Sequence, residues 1–325
     1  MNSSSSGYNV STPSYRDSYS TVVAKNVIVL ALGLIINYIN GSLIHTFRKH
    51  QIFYVNPRYI LFIHLVVNDM IQLTTSIGLF VLSYIFYTMN VSLCCVFITL
   101  SMFTTLNTPL NLAFMAVECY VAVCLPLRHA ELCTIKRTYI VIALIWATSA
   151  VSILTDVFIL VVTEPVELFY STMFCSRDKL FRHPIHLKKR DVSYMVYLIG
   201  VWLTLLFTYI KIFLAAKSAK ASKSAEGDAK KARNTILLHG FQLLLCMFTY
   251  VAYLIRNALV YRFPEHYINI FFASYIIVQI LPRLLSPIVY GLRDNLFRQH
   301  LKKYLLCTVR LSIKPRTVVT SMLLY

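Results

Sequence analysis

Seven apolar stretches dominate the chain, at roughly 22–47, 57–86, 94–120, 138–162, 192–216, 234–259 and 267–290. Each reaches the twenty or so residues that a helix needs to cross a hydrocarbon layer about 30 Å thick. Inside such a layer every backbone N–H and C=O must be bonded within the element, so the stretches are predicted as helices. The pattern predicts an all-α membrane protein: a seven-transmembrane helix bundle with a short amphipathic cytoplasmic helix after span seven. It divides into an outer N-terminus at 1–21, the seven-transmembrane domain at 22–290, and a cytoplasmic helix and tail at 291–325. Within the domain, 163–191 reads as an external loop and 217–233 as a cytoplasmic one.

Composition agrees. Of 325 residues 58% are hydrophobic and only 14% charged, against about 25% charged in a soluble domain; the mean hydropathy is +0.65. A net charge of +18 raises the question of nucleic acid. The basic residues lie between apolar stretches, however, where the positive-inside rule and anionic inner-leaflet lipids account for them. Membrane lipids are therefore the expected partners of this charge, and nucleic acid is not. Arg48 and Lys49 follow span one; Arg128, Lys136 and Arg137 follow span three; Lys217, Lys220, Lys223, Lys230, Lys231 and Arg233 follow span five; Arg293, Arg298, Lys302 and Lys303 open the tail. All should face the cytosol. Arg177, Lys179, Arg182, Lys188, Lys189 and Arg190 run against the rule, before span five. The N-terminus is then outside, where the sequons at Asn2 and Asn9 can carry glycans. Asn90 starts a third external sequon close to the bilayer, and the sequon at Asn40 lies inside span one. Neither a basic stretch nor an apolar one precedes Val22, so span one is expected to serve as its own insertion signal.

Two features bear on the interior. Charges within a membrane are expensive and mark working parts. Asp69 stands about 18 Å into span two from Pro57, and Arg283 about 12 Å from the inner end of span seven, at 1.5 Å per residue. They are expected to form a buried ion pair in place of a bound sodium ion; separate solvation in one wet cavity is the alternative. Among eight cysteines, Cys175 is the only one in the external loop, and Cys94 and Cys95 open span three. A bridge from Cys175 to Cys94 is the economical assignment, with Cys95 the adjacent competitor. Cys307 follows a basic amphipathic run that suits palmitoylation.

Span three ends Met115-Ala-Val-Glu-Cys-Tyr-Val-Ala-Val-Cys-Leu-Pro-Leu-Arg-His129. Span six opens Lys231-Ala-Arg-Asn-Thr-Ile-Leu-Leu-His239, and span seven closes Ser286-Pro-Ile-Val-Tyr-Gly-Leu-Arg-Asp294. These ordered motifs resemble the signatures of odorant receptors, rhodopsin-like (class A) G-protein-coupled receptors. Tyr38-Ile-Asn-Gly41 and Leu281-Pro-Arg-Leu-Leu-Ser286 are closest to the fish type. The resemblance covers spans one to seven, matches Asn40 and Asp69, and points to Cys94 and Cys175 as the bridging pair. It implies a small-molecule odorant, a heterotrimeric G protein of the olfactory, cyclic-AMP pathway, and no cofactor. There are three departures: Cys119 replaces the family's arginine, Ser286 replaces the asparagine before Pro287, and the external loop holds one cysteine where many relatives have three. Without that arginine, higher basal activity or weaker coupling is expected.

Near the outer third of span three, Ser101, Thr105 and Thr108 recur on one face, flanked by Met102 and Leu106. With Tyr194, Tyr197, Tyr250 and Gln279 at comparable depth they make a candidate lining for a mostly apolar ligand pocket. Each alone also fits plain helix packing. No acid stands on span three at that depth, which argues against an amine ligand. On the inner side Glu118, Cys119, Tyr120, Tyr209, His239, Pro287 and Tyr290, with Asp69 and Arg283, are the expected signalling switch. Asp69, Asp156 and Arg283 are too few to line a transport path. No metal-ligand or hydrolase motif is present, so a transporter and an intramembrane enzyme are disfavoured. A class A receptor for another small molecule or a peptide remains the alternative.

Overall fold

A computed structural model describes residues 18–86, 88–219 and 258–284, with the isolated positions 241, 244, 248, 252, 255, 256 and 299. Helix α1 spans Tyr19–Lys49, α2 Pro57–Phe86 and α3 Val91–Cys124; a short α4, Pro126–Leu132, links α3 to α5, Ile135–Thr163. Two short helices, α6 (Val166–Tyr170) and α7 (Arg177–Leu180), precede α8, Pro184–Ala219. The last described segment is a 3₁₀ turn at Pro264–His266, then α9 at Tyr267–Tyr275, then a π turn at Ile276–Ile280. Among the described residues six stretches are long and apolar enough to cross a membrane; span six falls largely outside them. Helix α8 begins at Pro184, well inside the stretch the hydrophobic pattern assigned to the external loop.

Helix starts follow local chemistry. Proline opens α2, α4 and α8, where its missing N–H costs nothing. Asn90 caps α3 by accepting from Ser92 N at 2.9 Å, and Thr134 caps α5 by accepting from Arg137 N at 3.3 Å. The third sequon asparagine is thus engaged as a helix cap.

The bundle is apolar on its outside, and its interior holds amide side chains among the apolar ones. Leu34, Val151, Phe158 and Val196 are exposed, while Asn40, Asn68, Gln72, Asn107 and Asn111 are buried. Water would invert that distribution; a hydrocarbon surround favours it, because interhelical hydrogen bonds and close packing then hold the helices together. Helix α3 is the axis, packed against α2, α5 and α8. Gly33 lets α1 approach α2 so closely that an added Cβ would overlap the Ile77 side chain.

Candidate functional site

At one end of α3 the chain is pinned twice. Cys94 and Cys175 form a disulfide with Cα atoms 5.5 Å apart. Beside it Met89–Asn90 pairs antiparallel with Thr172–Met173, and Ser92 Oγ donates to Phe169 O at 2.8 Å. The loop therefore lies over the bundle. Beneath it, Met102 and Leu106 join Cys175, Phe181, Ile153 and Leu160 in one buried cluster, with Tyr197 packed against it. Tyr197 Oη donates to Thr148 O at 3.3 Å, so its hydroxyl is turned to α5.

Thr105 and Thr108 look the other way. Gln72 Nε2 donates to Thr105 Oγ1 at 2.6 Å, and Asn68 Nδ2 donates to Thr104 O at 2.9 Å and Thr108 Oγ1 at 3.0 Å. Asn107 Nδ2 donates to Asn68 Oδ1 at 3.3 Å. One turn further, Asn111 Nδ2 donates to Leu61 O at 3.0 Å. The pair His64 Nδ1 and Asn111 Oδ1 is 3.3 Å apart, and Trp146 Nε1 donates to His64 Nε2 at 2.8 Å. Because the indole only donates, Nε2 must accept, which leaves His64 neutral with its proton on Nδ1, the tautomer Asn111 Oδ1 needs. A polar ladder thus runs down the α2–α3 seam and crosses to α5. His64, Asn68 and Gln72 stand at i, i+4 and i+8, a spacing present in the sequence but carried by uncharged groups beside the more conspicuous Asp69.

The candidate pocket residues separate accordingly. Met102, Leu106 and Tyr197 meet in the cluster under the loop; Thr105 is committed to Gln72. Ser101 is half-buried and its carbonyl accepts from Thr104 and Thr105. Gln279 is half-buried, with its side-chain oxygen sealed from solvent and unbonded among the described residues. Tyr194 falls on α8, and Tyr250 lies outside the described residues, as do His239, Pro287, Tyr290, Asn2 and Asn9.

The basic run that strains the positive-inside rule is partly matched by acids. Arg182 donates to both oxygens of Glu164, at 3.0 and 2.7 Å, and holds the Glu164 carboxyl below the usual carboxylate range. Lys189 Nζ lies 2.8 Å from Asp156 Oδ1, and His186 Nδ1 lies 3.4 Å from the same oxygen. Together these tie α8 to α5.

At the far end of α3, Glu118 is buried and meets His129 of α4. Cys119 is buried and packs with Ile212 of α8. Tyr120 lies edge-on to Phe207, and Tyr209 stacks on Phe213. Asp69 and Arg283 are 2% and 6% exposed, both deep in the bundle. Arg283 Nη1 donates to Val278 O at 2.7 Å, five residues back along the segment. Leu73 and Ile77 of α2, on the Asp69 side, pack with Ile276, Ile280 and Leu284, and Phe80 stacks on Tyr275 at 4.7 Å.

Two comparisons with known proteins agree with this architecture. Residues 18–290 match the family described as 7 transmembrane receptor (rhodopsin family). Odorant receptor 131-2 of Danio rerio is 33% identical over 292 residues, covering 89% of this chain and 88% of that protein. A multi-pass helical bundle, a loop bridged to the head of its third span and these similarities together place the chain in the rhodopsin family of seven-transmembrane receptors, as a class A receptor of the odorant type.

Proposed function

We propose that the chain has its N-terminus outside the cell, admits a small apolar ligand beneath the disulfide-pinned loop, and activates a heterotrimeric G protein of the olfactory, cyclic-AMP-raising kind. The observation that carries this reading is the buried apolar cluster of Met102, Leu106, Phe181 and Tyr197, roofed by the loop that Cys175 fastens. Small-ligand sites are mostly apolar with few polar groups, and this one lies where a disulfide marks the oxidising side. The other end suits a protein partner. Leu127 stands 98% exposed on α4, flanked by Arg128. A bare leucine beside a cation is a fitting anchor for an acidic, partly apolar surface.

Between the two ends, Asp69 and Arg283 act as a direct ion pair in place of a bound sodium ion. Their depths support it. Asp69 stands about 18 Å from the start of α2 at 1.5 Å per residue. Arg283 Nη1 reaches back to the Val278 carbonyl, which turns its guanidinium away from the inner end and toward the middle of the span. Both charges then sit near the middle of the bilayer, on faces already in contact through Leu73 and Ile280. The other buried acids have partners elsewhere: Glu118 with His129, and Asp156 with Lys189 and His186.

The test is a screen of small apolar molecules on cells carrying an olfactory G protein, read as cyclic AMP. An activating ligand should lose its effect in Met102→Trp, which fills the cluster, while surface expression is kept. A response equally strong in Met102→Trp would place the ligand elsewhere.

A further inference from the structure

We infer that His129 is the positioning residue for Glu118, doing from α4 what the missing arginine cannot do from the neighbouring position on α3. The inference rests on the coupling end proposed above being cytoplasmic. His129 Nε2 lies 3.2 Å from Glu118 Oε1, with the glutamate side chain 9% and the histidine side chain 29% exposed. Glu118 forms no other ion pair among the described residues. A carboxylate so covered loses much of its hydration and is unfavourable unless a donor faces it. The adjacent thiol of Cys119 carries no positive charge and packs with Ile212 instead. His129 can donate from Nε2, with that nitrogen carrying a proton, to the Glu118 oxygen that faces it.

The placement has a mechanical side. Helix α4 is only about two turns long, with no buried residue of its own. Its fastenings at the far end are local: Cys133 N donates to His129 O at 2.8 Å, and Arg137 Nη1 donates to Glu131 O at 2.8 Å. The Glu118–His129 bond is the side-chain link between α4 and the interior face of α3. Leu127, two residues before His129, is the most exposed leucine of that helix. Glu118 thus sets where Leu127 stands, and releasing His129 frees the surface a G protein would meet. Burying Glu118 against His129 ties α4 to the state of α3.

The experiment is a double-mutant cycle on the full-length receptor with His129→Leu, Glu118→Gln and both, read by thermal denaturation in detergent and by basal cyclic AMP in cells. His129→Leu and Glu118→Gln should lower the melting temperature, the pair together no further than the worse single. Basal signalling should rise severalfold in each, and His129→Gln, which retains a donor, should stay near wild type. If Glu118→Gln fails to reach the membrane, Glu118→Asp takes its place, drawing the carboxylate back by one methylene. An unchanged melting temperature in His129→Leu, or additive losses in the cycle, overturns the assignment. Coupled melting with flat basal signalling in every variant upholds the pair and sinks the coupling role instead.

Discussion

Asn68 is the hub of the α2–α3 ladder, and removing it should reveal what the ladder contributes. It donates to Thr104 O and Thr108 Oγ1 and accepts from Asn107 Nδ2. In Asn68→Leu two donated bonds disappear, at about 0.6 kcal/mol each for interhelical bonds in a membrane. The Asn107 amide, 0% exposed, would also lose its partner; an orphaned buried donor costs about 1–3 kcal/mol. The expected destabilisation is about 2–4 kcal/mol. Asn107→Leu is a different case, because it removes one long bond together with an oxygen that already lacks a partner. It does strand Asn68 Oδ1, a buried acceptor, so the change should cost about 1 kcal/mol, less than Asn68→Leu. In the double variant no donor is left stranded, so it should be more stable than Asn68→Leu alone. The assay is thermal denaturation of purified receptor in one detergent, with surface expression in parallel. A double variant that melts below Asn68→Leu would refute the reasoning, because orphaning would then not be the dominant cost.

Three further outcomes follow from other parts of the bundle. Asp69→Arg and Arg283→Asp should each abolish surface expression, and the two combined should restore it; a double no better than the worse single breaks the pairing. Cys175→Ser opens a bridge that spans 81 residues of chain and should cost about 2–5 kcal/mol, seen as lost expression that reductant-treated wild type reproduces. The Arg182 guanidinium depresses the Glu164 carboxyl, so that link is intact above the unfolded carboxylate value and is lost as pH falls through the lower folded one. Glu164→Gln should therefore flatten the acid limb of the melting profile below about pH 4, and an unchanged limb would show the link to be idle.

The spans and the bridge were legible because they rest on strong, additive costs. Unpaired backbone in hydrocarbon fixes helix number and rough bounds, and the motif order at Glu118 to His129 and at Ser286 to Asp294 fixes the family. What escaped is directional. Thr105 and Met102 lie three residues apart, and the sequence does not say which faces α2 and which faces the loop; only the partner Gln72 decides. Helix α8 starts early because Pro184 opens it and Lys189 and His186 find Asp156, a contact between residues 33 and 30 apart in the chain. Cys119 reads as a gap in the motif, whereas the partner of Glu118 stands eleven residues beyond that glutamate at His129, visible only once α4 turns back toward α3.

The π turn at Ile276–Ile280 holds one residue more than an α-helical turn would need for its closing bond, Leu281 N to Ile276 O. An extra residue rotates everything after it by about 100° relative to what precedes it. Above the turn, Phe272 and Tyr275 meet Phe80; below it, Arg283 is swung to a bearing that an uninterrupted helix would give to a neighbour. The widened turn is therefore a phase adjuster, and deleting a single residue from 277–279 would keep span seven helical yet aim its guanidinium out of the bundle.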